Sequence, residues 1–263
     1  MLSVYEHPLS PYAQKVKISL REKGIPFELK YPEGIGAGTS GGEFASANPR
    51  AEVPVLIDGE TRLFDSTIIL EYIEDKWPEP AMMPSTPAER ARVRMIEEIM
   101  DTHFEAITWG LGEVGWFKRA SGELAKTLVS NAVLQVQGHY RWLEEQLGDR
   151  PWFNGEAFGW GDLCVAPFIG GALPSGPDFA PPAGSKLAAW LDRCFARPSV
   201  AQTIAESRAF NKDTADVVGL VASGLFKREY RDHRLEWMIK SGGVEVVAKG
   251  LEANNIRFGP EFR

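Results

Sequence analysis

The sequence predicts an α/β half followed by an all-helical half. Three observations lead there. A strand, a helix and a second strand fit within residues 2–31; a hairpin signature and another helix follow by residue 77; and past a proline-rich stretch at 79–87 the apolar residues recur at helical spacing with no convincing strand. With 263 residues the chain can hold one large domain or two smaller ones, each with a real core.

Leu2 to Tyr5 is a short apolar strand. Ser10-Pro11 then opens a helix, because a serine hydroxyl caps orphan N–H groups and proline at the first helical position loses only an N–H that had no partner. Val16 and Leu20 share one face, and Lys23-Gly24-Ile25-Pro26 supplies a basic last turn, a C-terminal glycine and a stop. Phe27 to Tyr31 alternates apolar and polar residues as a second strand, and a strand-helix-strand unit of this length pairs its strands in parallel. The glycine-rich stretch Gly34 to Gly42 lacks a Gly-Lys-Ser/Thr and starts no helix, so it reads as a surface loop and not a phosphate loop. A helical turn follows through Glu43 to Ala47. Val53 to Ile57 and Thr61 to Phe64 flank Asp58-Gly59 as a hairpin. Pro54 fits there only at the strand start or with a cis peptide bond. Asp65-Ser66 begins the next helix, with Ile68, Ile69, Tyr72 and Ile73 as its apolar face and Trp77-Pro78 as its end.

Pro80, Pro84 and Pro87 mark residues 79–87 as a linker. A long helix spans 88–104, and 106–119 is aromatic-rich (Trp109, Trp116, Phe117) and broken by three glycines. Leu124, Leu128, Ala132, Val136 and Tyr140 step by four along a third helix that continues to Leu147. Gly161 to Ala172 is almost wholly apolar and so central to the second core. Helices at Lys186 to Ala196 and from Pro198 follow a proline-rich loop, and 211–263 adds helical patterns beyond an already complete helical unit. The expected layout is therefore 1–78, a linker at 79–87, a helical domain at 88–210 and a helical extension at 211–263.

Composition narrows the function. A net charge of −7 and a pI near 5.3 argue against nucleic acid, and the one basic run, Lys227 to Arg234, is interleaved with Glu229 and Asp232 as on a solvated helix face. Cys164 and Cys194 match no metal or redox spacing and sit in apolar helical contexts, as buried reduced thiols would in the cytosol. His7, His103, His139 and His233 are scattered, so no metal is expected. No stretch has a signal-peptide layout or the length to span a bilayer, which points to a cytoplasmic protein without membrane contact. Ser10 and Asp65-Ser66 each read in two ways: as plain caps, or as polar groups at a helix N-terminus, where the partial positive charge favours an anion.

Three local patterns in this order and at these separations resemble the glutathione transferases over residues 1–210. Ser10-Pro-Tyr-Ala-Gln-Lys-Val16 is similar to the family's serine- or cysteine-led opening of the first helix. Asn48-Pro-Arg-Ala-Glu-Val53-Pro54-Val-Leu is similar to its Val-Pro segment, and Asp65-Ser66 with Ile69 and Tyr72 to its glutathione-site helix. The resemblance implies a thioredoxin-like domain with a mixed four-stranded sheet, then an all-α domain, in a serine-dependent, bacterial- or fungal-like member with a long C-terminal extension. One departure lies at Gly159, where the family carries a serine or threonine cap three residues before Asp162.

Glutathione as co-substrate is what the resemblance implies, with Ser10 donating a hydrogen bond to its sulfur. Asp65 would hold the γ-glutamyl ammonium, Ser66 its carboxylate, and the Val53-Pro54 segment the cysteinyl backbone as an added strand would. Lys30 and Arg50 are the candidates for the glycyl carboxylate, because the 34–42 loop has no Lys or Arg. A hydrophobic electrophile would lie among His7, Leu9, Tyr12, Trp109 and Trp116, with Phe117 beside them and a tail bearing Phe226, Tyr230 and Trp237 folding back as a lid. Serine at position 10 disfavours the disulfide exchange of cysteine-bearing relatives, leaving conjugation, addition, ether cleavage or peroxide reduction. A detoxifying homodimer is implied by the same resemblance. The alternative is a transferase-like fold used as a non-catalytic interaction or structural module.

Overall fold

The structure, a computed structural model, describes residues 1–35, 40–211, 217–226, 228–229 and 232–257. Part of the glycine-rich loop and the proposed lid residue Tyr230 lie outside these. Strand β1 (Leu2–Tyr5), helix α1 (Pro11–Glu22), strand β2 (Glu28–Lys30), helix α2 (Gly42–Ala47), strands β3 (Val55–Asp58) and β4 (Thr61–Phe64) and helix α3 (Ser66–Lys76) follow the expected order. They build one mixed sheet in the order β2-β1-β3-β4, with β1 and β2 parallel and the other pairs antiparallel. The Val53-Pro54 peptide is cis and lies just before β3.

Alternation along β3 explains the two faces of the sheet. Leu56 packs with Leu2, Val4, Val16, Leu20, Ile69 and Ile73 under α1 and α3, while Val55 and Ile57 meet Phe44 and Ala47 of α2 on the other side. Helix α1 is buried without interruption from Ala13 to Leu20, because its remaining face meets the helical half. That burial takes in Lys15 and Lys17, so their charges need partners. Lys17 reaches Glu6 and Glu206 at 2.8 and 2.9 Å, and Arg21 and Glu22 pair with Glu206 and Arg197.

Helix α4 (Pro87–Ile99) does not stop where the sequence pattern weakens. It passes through one π-helical turn, Met100–Phe104, into α5 (Glu105–Gly115), so Gly110 and Gly112 lie inside a helix and do not break it. Gly110 is there to admit a neighbour: a Cβ at this position would lie 2.5 Å from the ring of Trp237. Gly110→Ala is therefore expected to dislodge that ring and cost about 1–3 kcal/mol, as overpacking does. A thermal melt a few degrees lower, with a red-shifted tryptophan emission, would record it; an unchanged melt would not fit.

Helix α6 (Gly122–Leu147) and the buried α7 (Trp160–Ala172) form the centre of the helical half, flanked by α8 (Lys186–Phe195) and α9 (Pro198–Asn211). The glycine cap at Gly159 has a steric cause. A side chain there would overlap Asn154 Nδ2 and the Met82 carbonyl. Asn154 supplies the missing cap instead, its Oδ1 accepting the Gly161 N–H at 3.1 Å, while Asp162 accepts the Gly159 N–H at 3.0 Å.

The remaining elements are α10 (Val217–Ala222), β5 (Arg228–Glu229), α11 (Asp232–Lys240), α12 (Val244–Glu252) and β6 (Ile256–Arg257). The pairing of β5 with β6 corrects the expectation that no strand occurs past the linker; two residues each are too short to leave an alternation in the sequence. Helix α11 packs on α5, and Arg119 binds Asn255 at 2.7 Å. Cys164 and Cys194 are buried and unbridged.

Candidate active site

A cleft of about 1560 Å³ opens between the α/β half and the helical half. The residues read from the sequence as the glutathione and hydrophobic-substrate sites line it. Ser10, Val53, Pro54, Asp65 and Ser66 lie on the α/β wall, with His7, Leu9 and Tyr12 beside them. Trp109, Trp116, Phe117 and Phe226 line it from the helical side. Phe226 stacks on Phe117 with ring centroids 5.6 Å apart. Trp237 is not part of the lining: it is held behind the wall, its Nε1 donating to Gln135 at 2.7 Å.

Two helix N-termini carry the polar groups of the α/β wall. Ser10 caps α1, its Oγ accepting the Ala13 N–H at 3.3 Å, which leaves the hydroxyl hydrogen free to donate into the cleft. Asp65 caps α3 by accepting from Thr67 N at 3.0 Å, and it does so at φ +75°, a region costly for any residue with a side chain. Such backbone outliers gather at ligand sites. Arg50 also lines the cleft, 2.7 Å from Glu52 and 3.8 Å from Asp65. Lys30 does not line it: it lies 3.5 Å from Glu43 and over the Tyr5 ring.

The floor is built on charges whose burial the sequence did not reveal. Lys15, wholly enclosed, donates to Glu97 at 2.8 Å and to both oxygens of Asp101 at 2.7 and 2.8 Å. Thr67 and Trp160 also donate to Glu97, so α1, α3, α4 and α7 meet at one carboxylate. Burial pushes the Asp101 carboxyl up to about 7 against the pull of Lys15, with Glu97 adding to the rise. Asp101 stands in the π turn and lines the cleft, and its carbonyl accepts the Tyr12 hydroxyl at 2.6 Å. The Tyr12 O–H is thus spent on fixing the turn. His7 is boxed by Tyr31 and Phe210 at 5.4 and 4.8 Å, and burial, helped by Lys17, lowers its pKa to about 4, so it is neutral near pH 7.

Arg234 is the other residue the sequence misplaced. Read as part of a solvated face, it is instead buried at the cleft wall, its Nη2 and Nε donating to Glu105 at 2.7 and 3.2 Å and its guanidinium 5.0 Å over the Trp109 ring. Among the described residues no cluster could hold a metal ion, and no helix is long and apolar enough to cross a membrane.

Known proteins are similar to this chain in sequence and in fold. The sequence model of the glutathione S-transferase N-terminal domain matches residues 4–81, and that of the C-terminal domain residues 116–193. Glutathione S-transferase U28 of Arabidopsis thaliana is 34% identical over 203 residues, covering 75% of this chain and 86% of that protein. A stringent starvation protein A homolog of Haemophilus ducreyi is 27% identical over 207 residues, 79% of this chain and 91% of that one. A glutathione S-transferase structure from Rhodospirillum rubrum superposes with a TM-score of 0.66 at 26% identity, covering 77% of this chain and 91% of its own. A thioredoxin-like sheet with a mostly helical partner, matched by both domain models and by a relative above 30% identity, places the chain in the glutathione S-transferase family.

Proposed function

We propose that the protein is a working glutathione transferase that binds glutathione along the α/β wall and presents its thiolate to a hydrophobic electrophile. The observation that carries this is the convergence of Ser10, Val53, Pro54, Asp65 and Ser66 on one wall of one cleft. Asp65 takes the γ-glutamyl ammonium, and the N–H and hydroxyl of Ser66 at the start of α3 take its carboxylate, where the helix end favours an anion. Val53 pairs through its backbone with the cysteinyl unit. Arg50, on the rim and within reach of the same groups, serves the glycyl carboxylate better than Lys30, which faces Glu43.

The reaction needs sulfur as thiolate. Ser10 donates its hydroxyl hydrogen to that sulfur at the N-terminus of α1, and both effects favour the charged form over a thiol with a free pKa of about 8.5. A depression of about one to two units makes thiolate a major species near pH 7. Ser10 stabilises the nucleophile without being one, and His7 stays neutral near pH 7 between Tyr31 and Phe210. The electrophile lies between His7, Leu9 and Tyr12 on one side and Trp109 and Trp116 on the other. Conjugation, addition, ether cleavage or peroxide reduction at this thiolate would make the protein a cytoplasmic detoxifying enzyme. Residues 1–78 form the glutathione-binding domain, 79–87 the linker, 88–210 the helical domain and 211–263 an extension that walls the cleft. A two-fold homodimer, typical of the family, belongs to the same reading.

The protein should be retained on immobilised glutathione and eluted by the free tripeptide, whereas Asp65→Ala should bind about ten- to a hundredfold more weakly, as loss of a charge-assisted contact would cause. Passage of the wild type through the column would favour a non-catalytic module, a reading that the similarity to stringent starvation protein A homologs keeps in view.

A further inference from the structure

The helical wall of the cleft carries a feature that glutathione binding leaves unused. Arg234 reaches it from α11, far along the chain, and is buried there beside Glu105 and Trp109. Glu105 engages Nε and Nη2, and Nη1 has no hydrogen-bond partner among the described residues. Burial opposes the guanidinium's charge, but the Glu105 carboxylate more than offsets this and keeps it fully ionised. An ion pair of this kind is a poor packing device, since apolar side chains of similar volume stabilise a core at least as well.

The surroundings indicate what the open donor is suited to. Glu52 and Glu105 both act on the Arg234 charge, and they line the cleft together with Glu98 and Asp101, so an electrophile already bearing a carboxylate would be repelled as much as held. A neutral molecule that acquires negative charge only as it reacts would meet a fixed N–H donor at the moment the charge appears, and that difference is what accelerates a reaction. We propose that Arg234 is a specificity-determining residue of the second-substrate pocket, selecting neutral electrophiles whose reacting carbon is conjugated to a carbonyl. The proposal rests on the glutathione transferase reading above. In such an addition the sulfur pair forms the S–C bond at the β-carbon, and the C=C π pair shifts to leave an enolate oxygen. Arg234 Nη1–H bonds that oxygen. Solvent then returns a proton to the α-carbon, matching the one released when the thiol ionised.

The test compares two electrophiles in the full-length protein: an α,β-unsaturated ketone and benzyl chloride, which has no oxygen. The wild type is compared with Arg234→Met/Glu105→Gln, which leaves no lone buried charge, and with Arg234→Lys. Glutathione affinity is measured for each by calorimetry. The proposal expects the ratio of kcat/KM for ketone over chloride to fall at least tenfold in the double variant and to recover in part with lysine. An unchanged ratio, with both substrates losing alike, would overturn it and assign the pair to folding. Absence of glutathione binding by the wild type would instead remove the underlying reading, and this proposal with it.

Discussion

Ser10→Ala is expected to lower kcat by about ten- to a hundredfold near pH 6.5 while changing glutathione affinity only a few-fold. The size follows from losing one hydrogen bond to the sulfur, which returns its pKa by about one to two units and empties the thiolate pool in proportion. In the proposed binding mode affinity is spread over Asp65, Ser66, Val53 and Arg50, which line the cleft and which the substitution leaves in place. Two controls separate this from damage to α1, because the same oxygen accepts the Ala13 N–H and its loss costs about 1 kcal/mol of capping. Ser10→Thr keeps both the cap and the donor and should recover most of the rate. The thiolate absorbance of bound glutathione should titrate at higher pH in the alanine variant. Equal losses in kcat and affinity, or an unmoved titration, would contradict the role.

Lys15→Met is expected to destabilise the protein by about 3–5 kcal/mol, the usual cost of stranding buried charge. Two carboxylates, Glu97 and Asp101, share this one ammonium, and Lys15 is wholly enclosed. The loss should depend on pH in a direction fixed by linkage. Without the cation both carboxyls take folded-state pKa values above their unfolded ones, so the penalty is small at low pH and grows as pH rises towards those values. Denaturant midpoints at pH 5.5 and pH 8 would show the larger drop at pH 8. An equal drop at both would mean that lost packing, not charge, is the cause.

Much of the α/β wall was legible because its features are local. A cap is a serine before a proline, a hairpin is Asp58-Gly59 between apolar runs, and the proline at a strand start restricts its own peptide bond. The helical wall was not. Glycines 110 and 112 read as breaks because sequence reports propensity, and at Gly110 it does not report the Trp237 ring that needs the gap. Arg234 read as solvated because its neighbours are charged, and its partner lies 129 residues away. Lys15 and Lys17 sit on a helix that looks amphipathic until a second layer covers its polar face. The π turn leaves no trace, since one extra residue in a helix shifts the pattern by less than the pattern's own irregularity. Gly159 is the reverse case: a visible departure whose reason, the side chain of Asn154, is visible only in three dimensions.

The ionic seam along α1 also bears on how such proteins can be recombined. Lys15, Lys17 and Arg21 find their counter-ions at Glu97, Asp101 and Glu206, and Glu22 answers to Arg197. An α/β half grafted onto another relative's helical half would bring three cations to a surface chosen for a different helix. The seam acts as a compatibility key, so a chimera made to change the substrate would need residues 97, 101, 197 and 206 to travel with the first 78.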